Sequence, residues 1–521
     1  MPPSMLRLNP RDGVAVAVRD LTPGEVIRLG GGEPIEVREP IPAGHKMAVY
    51  AIPQGMPVLK YGEPIGMASR PIGAGNWVHR QNLIYAERPV RFPALPAEAP
   101  DAASGLHGEG PWSEATFAGF VRENGKVGTR NYIAVVSSVN CSASVCQWVA
   151  DRFPPDRLAR FPNIDGVVAI THEGGCGMPR RGLQQTMLQR VLRGVMEHPN
   201  VAACLCIGLG CEQTPAPELV TLDLQSSPPD SKSSRDGFPK ILVMQQQGGT
   251  GRTIETAASV IESWLPGIDA QRRQPVPLSH LVVATECGGS DAFSGITANR
   301  VVGGVVDRLV AAGAVGVLSE TSEVTGAEAG LLRRAVSRDV AERLIERLQW
   351  WRWYVNLFDA SLDENPSPGN EAGGLTTIAE KSLGAVQKGG TMPLVDVLEY
   401  AQPITRKGFV FMDTPGYDPP SVTGMVAGGA NLVLFTTGRG SCFGCALAPT
   451  IKISSTSGLA ARMPDDIDFD AGSILAGEAA DVLAEQLLQR VIAVASGEPT
   501  CSERQGYGRH EFVPWHVGPV L

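Results

Sequence analysis

The chain has 521 residues, more than one hydrophobic core ordinarily supports, so several domains are expected. Its net charge of −9 removes the electrostatic case for nucleic acid or an anionic membrane as partner. No apolar run reaches the length of a membrane span, and ten cysteines without a secretory leader read as reduced thiols of a cytoplasmic protein. Residues 1–91 carry short β-like runs (13–21, 33–41, 45–52 and 56–69) separated by Gly/Pro turns, which predicts a small β-rich module. A Pro/Ala/Gly-rich stretch, 92–115, reads as a linker. From 116 the pattern changes. Strand-like segments 131–139, 166–173, 202–210, 241–247, 280–286 and 315–320 alternate with helix-like segments 144–153, 184–198, 253–265 and 298–314. A long helical stretch runs through 333–358, and a turn-rich segment follows at 363–374. Strands are expected again at 408–416, 431–440 and 450–456, with a closing helix over 478–496. This alternation predicts Rossmann-like, mostly parallel α/β domains covered on both faces, divided as 116–390 and 391–521. The segment 226–237 reads as an exposed loop.

Four cysteines sit where apolar runs end: Cys141, Cys176, Cys211 and Cys287. Parallel α/β sheets bind ligands at the carboxyl ends of their strands, so four thiols placed there are candidate ligands of one metal. Soft thiolates favour iron or zinc over magnesium. The alternative for each is core packing, a common fate of free cysteine. Cys204 and Cys206 share one face of a strand, and Cys146 lies on a helix; all three are expected in the core. Cys442 and Cys445 form a C-x-x-C pair, open between a redox motif, half a metal site and a small-residue turn. His172, four residues before Cys176, is a candidate general base or metal ligand. Glu212, Glu286 and Asp291 flank the cysteines as possible ligands, acids or bases. His45 or Lys46 would reach the substrate as a lid residue if the N-terminal module, which also carries His79, folds over the crevice; a solvated turn is the alternative. The Gly-rich loops match neither phosphate-binding fingerprint.

Motif strings carry a family resemblance over essentially the whole chain. They are GHK around His45, KYGEPIG around Lys60, GTRN around Arg130, GCG around Cys176 and GLGCE around Cys211. ECGGSDAFSGITAN from Glu286, ENPSPGN from Glu364, EKSLG around Lys381 and TTGRG around Arg439 complete the set. The chain resembles the altronate/galactarate dehydratase family. The resemblance implies an N-terminal SAF (β-clip) module and loss of water from a hydroxy sugar acid to give a 2-keto-3-deoxy acid. It also implies a homodimer and iron, as a single Fe(II) or an iron–sulfur cluster. On that implication Cys176, Cys211 and Cys287 are the foremost iron ligands, with Cys141 a fourth. The catalytic candidates are His172, His45, Lys46, Glu286 and Asp291. Arg130 and Arg439 would clamp the substrate carboxylates, with Lys381 in support. Asn365, Ser367 and Asn370 would bind hydroxyls. The C-x-x-C pair departs from the family pattern. A related sulfo-lyase, which would expel sulfite from a sulfolactate-like acid, is the enzymatic rival; a non-catalytic, metal-stabilised sugar-acid-binding protein is the other.

Overall fold

The computed structural model describes residues 3–30, 32–87, 112–221 and 239–518. The loop expected at 226–237 and most of the linker expected at 92–115 fall outside these residues. In the N-terminal module the strand Val14–Ala17 is buried throughout. It pairs antiparallel with Met5–Leu6 and Lys46–Ala48, and the latter pairs with Trp77–Val78. A second sheet joins Pro57–Lys60, Glu63–Ala68 and Leu83–Ile84. The module is therefore the expected small β-rich unit. Its core is not closed on itself: Val14, Val58, Ile65 and Val78 pack with Ala327 and Leu383 of the large domain.

Four strands form the next sheet: β1 (Tyr132–Ser137), β2 (Gly166–Ile170), β3 (Val201–Gly208) and β4 (Lys240–Val243). Their order is β2-β1-β3-β4 and every pair is parallel. Side chains of β1 alternate between two cores, as the period of a strand requires. Ile133 and Val135 meet helices α1 (Asn140–Ala150) and α3 (Thr250–Asp269), whereas Ala134 and Val136 meet α2 (Leu183–Met196). Cys146 and Cys204 are buried in these cores, and Cys206 is fully buried, as expected.

Seven parallel strands form the largest sheet. They are β5 (Val282–Cys287), β6 (Val315–Leu318), β7 (Leu394–Leu398), β8 (Gly408–Met412), β9 (Leu432–Thr437), β10 (Thr450–Ser454) and β11 (Phe469–Asp470). The order β7-β8-β6-β5-β9-β10-β11 puts β5 at the centre. Helix α4 (Ala298–Ala311) lies in one core, where Val301, Val305 and Leu309 are fully buried. This sheet takes strands from both sides of residue 390, where the sequence suggested a boundary. The long helical stretch read through 333–358 begins later, as α5 (Arg338–Asn356), because the Ser337 side chain accepts from the Val340 N–H and caps it there. Two further helices matter for the site: α6 (Ile378–Ala385) and α7 (Asp418–Ala427). No helix among the described residues is long and apolar enough to cross a membrane.

Candidate active site

Apolar residues of β5 and β6 bury their strands, and the polar residues that follow are delivered to the carboxyl edge of the large sheet. Cys287 is the last residue of β5, while Glu320 and Glu323 follow β6. One ligand atom from each lies within 4.8 Å of the other two, and all three residues are buried. Glu320 adopts φ 63°, ψ 60°, a left-handed conformation that a non-glycine residue rarely takes. This strained backbone sits where the chain turns its carboxylate back toward Cys287, 3.2 Å from the sulfur.

Two lysines close the cluster. Lys388 Nζ lies 2.8 Å from Cys287 Sγ and 2.6 Å from Glu320 Oε2. Lys381 Nζ donates to Glu323 Oε1 and to Asn365 Oδ1, both at 2.8 Å. Asn365 in turn donates to Glu323 at 3.2 Å. Glu286, beside Cys287, accepts from Ser421 at 2.7 Å, while its Oε1 is buried without a partner. Asp418, at the first turn of α7, is half-buried and faces Gly288; a Cβ at that glycine would lie 2.2 Å from Asp418 Oδ2.

Negative groups outnumber the two ammonium groups. Burial, and then the neighbouring Glu320 and Asp418, push the Glu286 carboxyl well up. Burial also raises Glu320 and the Cys287 thiol. Asp418 is pushed up to about 7 by burial and by Glu320 and Glu323. Lys381 and Lys388 move up as well: burial opposes their charge, but the surrounding acids and thiol outweigh it. Such a centre gains from a bound cation or proton.

The N-terminal module covers this region through α6. Lys46 and Lys60 both reach Glu380, at 2.8 and 2.7 Å, and all three side chains are almost fully buried. Lys46 also donates to Gly374 O at 2.6 Å. Glu380 is adjacent to Lys381, so the module grips the helix that carries a site lysine. Gly44 and Gly374 have positive φ, and a Cβ on Gly374 would lie 2.4 Å from Gly44 O. Backbone contact between the two domains thus requires glycine there. His45 Nδ1 accepts from Trp77 Nε1 at 3.1 Å, its ring faces His79 at 5.0 Å, and Trp77 stacks on His79. Burial, then the Lys46 charge, lowers the His45 pKa.

Of the residues singled out from sequence, Cys287, Glu286, Lys381 and Asn365 come together. The others lie elsewhere or are otherwise engaged. Cys141, Cys176 and Cys211 are exposed and follow strands of the four-stranded sheet, whereas Cys287 ends a strand of the seven-stranded one, so the four cysteines do not share one sheet edge. His172 donates from Nε2 to Ser137 O at 3.0 Å and accepts at Nδ1 from Gly174 N at 3.1 Å. Both ring nitrogens are spent on the loop, and burial pushes its pKa down to about 4, which corrects the base-or-ligand expectation. Arg130 precedes β1 and so lies at the opposite end of the strand from the carboxyl edge. Its five N–H donors go to Glu503, Thr129 O, Val494 O and Glu498 O, which leaves none for a substrate. Asp291 accepts from Ser294 N and Oγ, Phe293 N and Ser455 Oγ, and so braces two loops. Ser367 and Asn370 form a reciprocal helix cap. Lys46 reaches Glu380 and not the acid cluster. Arg439 is exposed, with its Cδ beside Gly373. Glu212 is held by Ser138 Oγ and Gly210 N. Sequence reasoning missed Glu320, Glu323, Lys388 and Asp418, although the run VGVLSE marks Glu320 as a strand-end acid.

Comparison with known proteins agrees with this architecture. Residues 3–86 match the altronate/galactarate dehydratase SAF domain, and residues 119–269 match the second domain of D-galactarate dehydratase/altronate hydrolase. Residues 278–520 match the D-galactarate/altronate dehydratase C-terminal domain. The chain is 32% identical to the altronate dehydratase of Bacillus subtilis (strain 168) over 516 residues, 97% of each chain. It is 35% identical to the galactarate dehydratase (L-threo-forming) of Escherichia coli (strain K12), over 99% of this chain and 97% of that one. The (2R)-sulfolactate sulfo-lyase subunit beta of Chromohalobacter salexigens is 32% identical, over 76% of this chain and 96% of its own. With three consecutive domain matches and near-full-length relatives, the chain belongs to the galactarate/altronate dehydratase family of hydro-lyases.

Proposed function

We propose that the chain dehydrates a sugar acid of the altronate or galactarate type, with iron, to a 2-keto-3-deoxy acid. The observation that carries this reading is the buried Cys287–Glu320–Glu323 set held between Lys381 and Lys388. The reaction breaks a C–H bond α to a carboxylate and a C–OH bond at the β carbon. The enol that forms tautomerises to the keto acid. Negative charge develops on the substrate carboxylate as the α-proton leaves, and fixed ammonium groups stabilise it in a water-poor site. Lys381 and Lys388 are those groups. Asp418, half-buried in front of Gly288, takes the α-proton on its carboxylate. The exposed Arg439 suits the far carboxylate of a diacid.

The donor set fits a divalent metal. The thiol and two carboxylates converge, and burial disfavours their charged forms, a penalty that a bound cation would offset. Cys287, Glu320 and Glu323 would hold it, and the bound metal would supply a Lewis acid for the departing hydroxyl. The sulfo-lyase relative spans about three quarters of this chain, and the fused N-terminal module favours the sugar-acid reading. The test is a panel of altronate, galactarate and (2R)-sulfolactate, assayed with and without Fe(II). Keto acid from either sugar acid supports the reading. Sulfite released from sulfolactate, with no keto acid from the sugar acids, would overturn it.

A further inference from the structure

The pocket at the end of β5 holds a thiol and an amine in unusually close contact. Cys287 Sγ and Lys388 Nζ lie 2.8 Å apart. Four other sulfur contacts are longer: 3.0 Å for Arg504 on Cys501, 3.2 and 3.6 Å for Cys287 on Glu320 and Glu323, and 3.5 Å for Cys501 on Ile467 O. Both partners are buried, Lys388 completely. Cys287 closes the central strand of the seven-stranded sheet, and Lys388 sits in the turn Val386–Gly389 that follows α6. That turn is tightly seated. A Cβ on Gly389 would lie 2.7 Å from the Phe409 ring, and one on Gly390 would lie 2.2 Å from Asp307 Oδ1. The lysine therefore has little room to withdraw from the sulfur.

Glu320 spans the pair. Its Oε1 accepts from Cys287 Sγ at 3.2 Å, and its Oε2 forms an ion pair with Lys388 Nζ at 2.6 Å. One carboxylate thus faces both protons that a covalent link between the two would have to release. Oxidised thiols ordinarily end as disulfides when a second thiol is at hand. Here the close neighbours of the sulfur are Glu320, Glu323 and Lys388, so the nucleophile within reach is an amine. A single bridging atom fits between a sulfur and a nitrogen at this separation, and the closed packing keeps bulky reductants and water from the linked atoms.

We propose that Cys287 and Lys388 form a modification site, at which dioxygen joins them through an S–O–N bridge that switches the pocket off until a small thiol reductant opens it. Glu320 first takes the extra proton of the ammonium. The S–H bond, one N–H bond of the amine and the O–O bond then break. One oxygen atom joins sulfur to nitrogen, and the other leaves as water with the two hydrogens. Sulfur and nitrogen give up two electrons each, and dioxygen takes all four. In reversal, four thiol equivalents return the electrons, leaving two disulfides, one water, the free thiol and the free amine. The loss of activity rests on the dehydratase reading; the bridge itself does not. The experiment holds the purified full chain in air-saturated buffer. Intact mass and peptide maps are then read without reductant and again after dithiothreitol, beside keto-acid production. The expected result is a fraction of chains that has gained one oxygen and lost two hydrogens, with the Cys287 and Lys388 peptides joined. Dithiothreitol should separate them and restore the lost activity. Lys388→Arg keeps a cation beside the sulfur but should give no link, and its Cys287 should proceed to sulfinic acid, which dithiothreitol does not reverse. The link is read in the wild-type chain, so a poorly folded Lys388→Arg does not affect that result. Peptides that stay separate after air exposure overturn the proposal. So does a link that lacks the oxygen atom, or one at Cys287 that survives in Lys388→Arg. A reversible link in a chain that never makes keto acid upholds the bridge and sinks the dehydratase reading instead.

Discussion

The grip of the N-terminal module on α6 makes an ordered prediction. Two ammonium groups, Lys46 and Lys60, share one carboxylate, Glu380, in a buried setting. The two lysines are not equivalent. Burial lowers Lys46 from 10.5 to about 8 despite the attraction of Glu380. Burial opposes the Lys60 charge too, but Glu380, Tyr61 and Asp12 outweigh it and raise its pKa. Glu380 is held well below the usual carboxylate range, since the two lysines outweigh its desolvation. The depression of Lys46 corresponds to roughly 3 kcal/mol against holding its charge in the fold. Lys46→Met removes that cost and leaves a balanced Lys60–Glu380 pair. It also strips Gly374 O of its donor, which costs about 1–3 kcal/mol. The two terms nearly cancel, so the net change should stay within about 2 kcal/mol. Glu380→Gln leaves two buried ammonium groups without an anion and should cost about 3–5 kcal/mol. Lys60→Met should fall between them. Urea unfolding, combined with native-state hydrogen exchange of the Ile378–Ala385 amides, measures the three differences. There is a matching pH signature. Between pH 8 and 10.5 the unfolded chain holds a proton on Lys46 that the folded chain has released, so this group's contribution makes stability rise with pH across that window, and Lys46→Met should abolish the rise. A Lys46→Met cost equal to that of Glu380→Gln would refute the charge argument.

Other expectations are independent of that triad. Asp418→Asn should lower kcat by about 10²–10⁴ with a smaller effect on KM, as loss of a positioned proton acceptor does, in a steady-state keto-acid assay. His198 donates from Nε2 to Ala430 O and accepts from Asn200 N, and burial pushes its pKa from 6.5 to about 4. Between those values the unfolded chain binds a proton that the folded chain does not. Stability should therefore fall as pH drops from 6.5 to 4, by roughly 3 kcal/mol from this residue, and His198→Gln should flatten that slope in urea titrations at stepped pH. Gly194 on α2 packs against α7, where an added Cβ would lie 2.0 Å from Ala427 O. Gly194→Ala should force the helices apart at a cost of about 1–3 kcal/mol or more, visible as a lowered Tm.

Much of the fold is legible from apolar runs alone. The segments at 131–139, 202–210, 280–286 and 431–440 are too apolar for a half-exposed strand, and the structure buries all four in parallel sheets. Less legible were Leu394–Leu398 and α7. The former has Asp396 in its middle, which breaks the apolar run; the charge is tolerated because Arg343 reaches it at 2.7 Å. The latter opens with two prolines and so reads as a turn, although proline in the first helical turn gives up no hydrogen bond. The boundary at 390 failed for a topological reason. The strands that flank it in sequence, β6 and β7, are separated in the sheet by β8, and no local pattern reveals such an insertion.

The candidate site was half legible, because a strand end in a sequence does not say which sheet it joins. Seeking thiols at strand ends finds Cys287 and, equally, the separate trio on the other sheet; the rule marks edges without saying which strands share a sheet. Applied to carboxylates, the same reasoning finds Glu320, two residues after the end of Val315–Leu318. Arg130 misled because a Gly-flanked loop has no polarity in a sequence. It enters β1 rather than leaving it, and its guanidinium is spent on Glu503, 373 residues away. His172 misled in the opposite way: it does lie at a carboxyl edge, but whether its ring is free depends on Ser137 O and Gly174 N, contacts that only the folded loop creates. Lys388 carries no sequence signal at all. It becomes part of the site only because α6 and the turn after it fold back over β5, and α6 is held there by two lysines from the far end of the chain. The N-terminal module thus bears on the chemistry through position: its buried charges fix the element that delivers Lys381 and Lys388 to Cys287, Glu320 and Glu323.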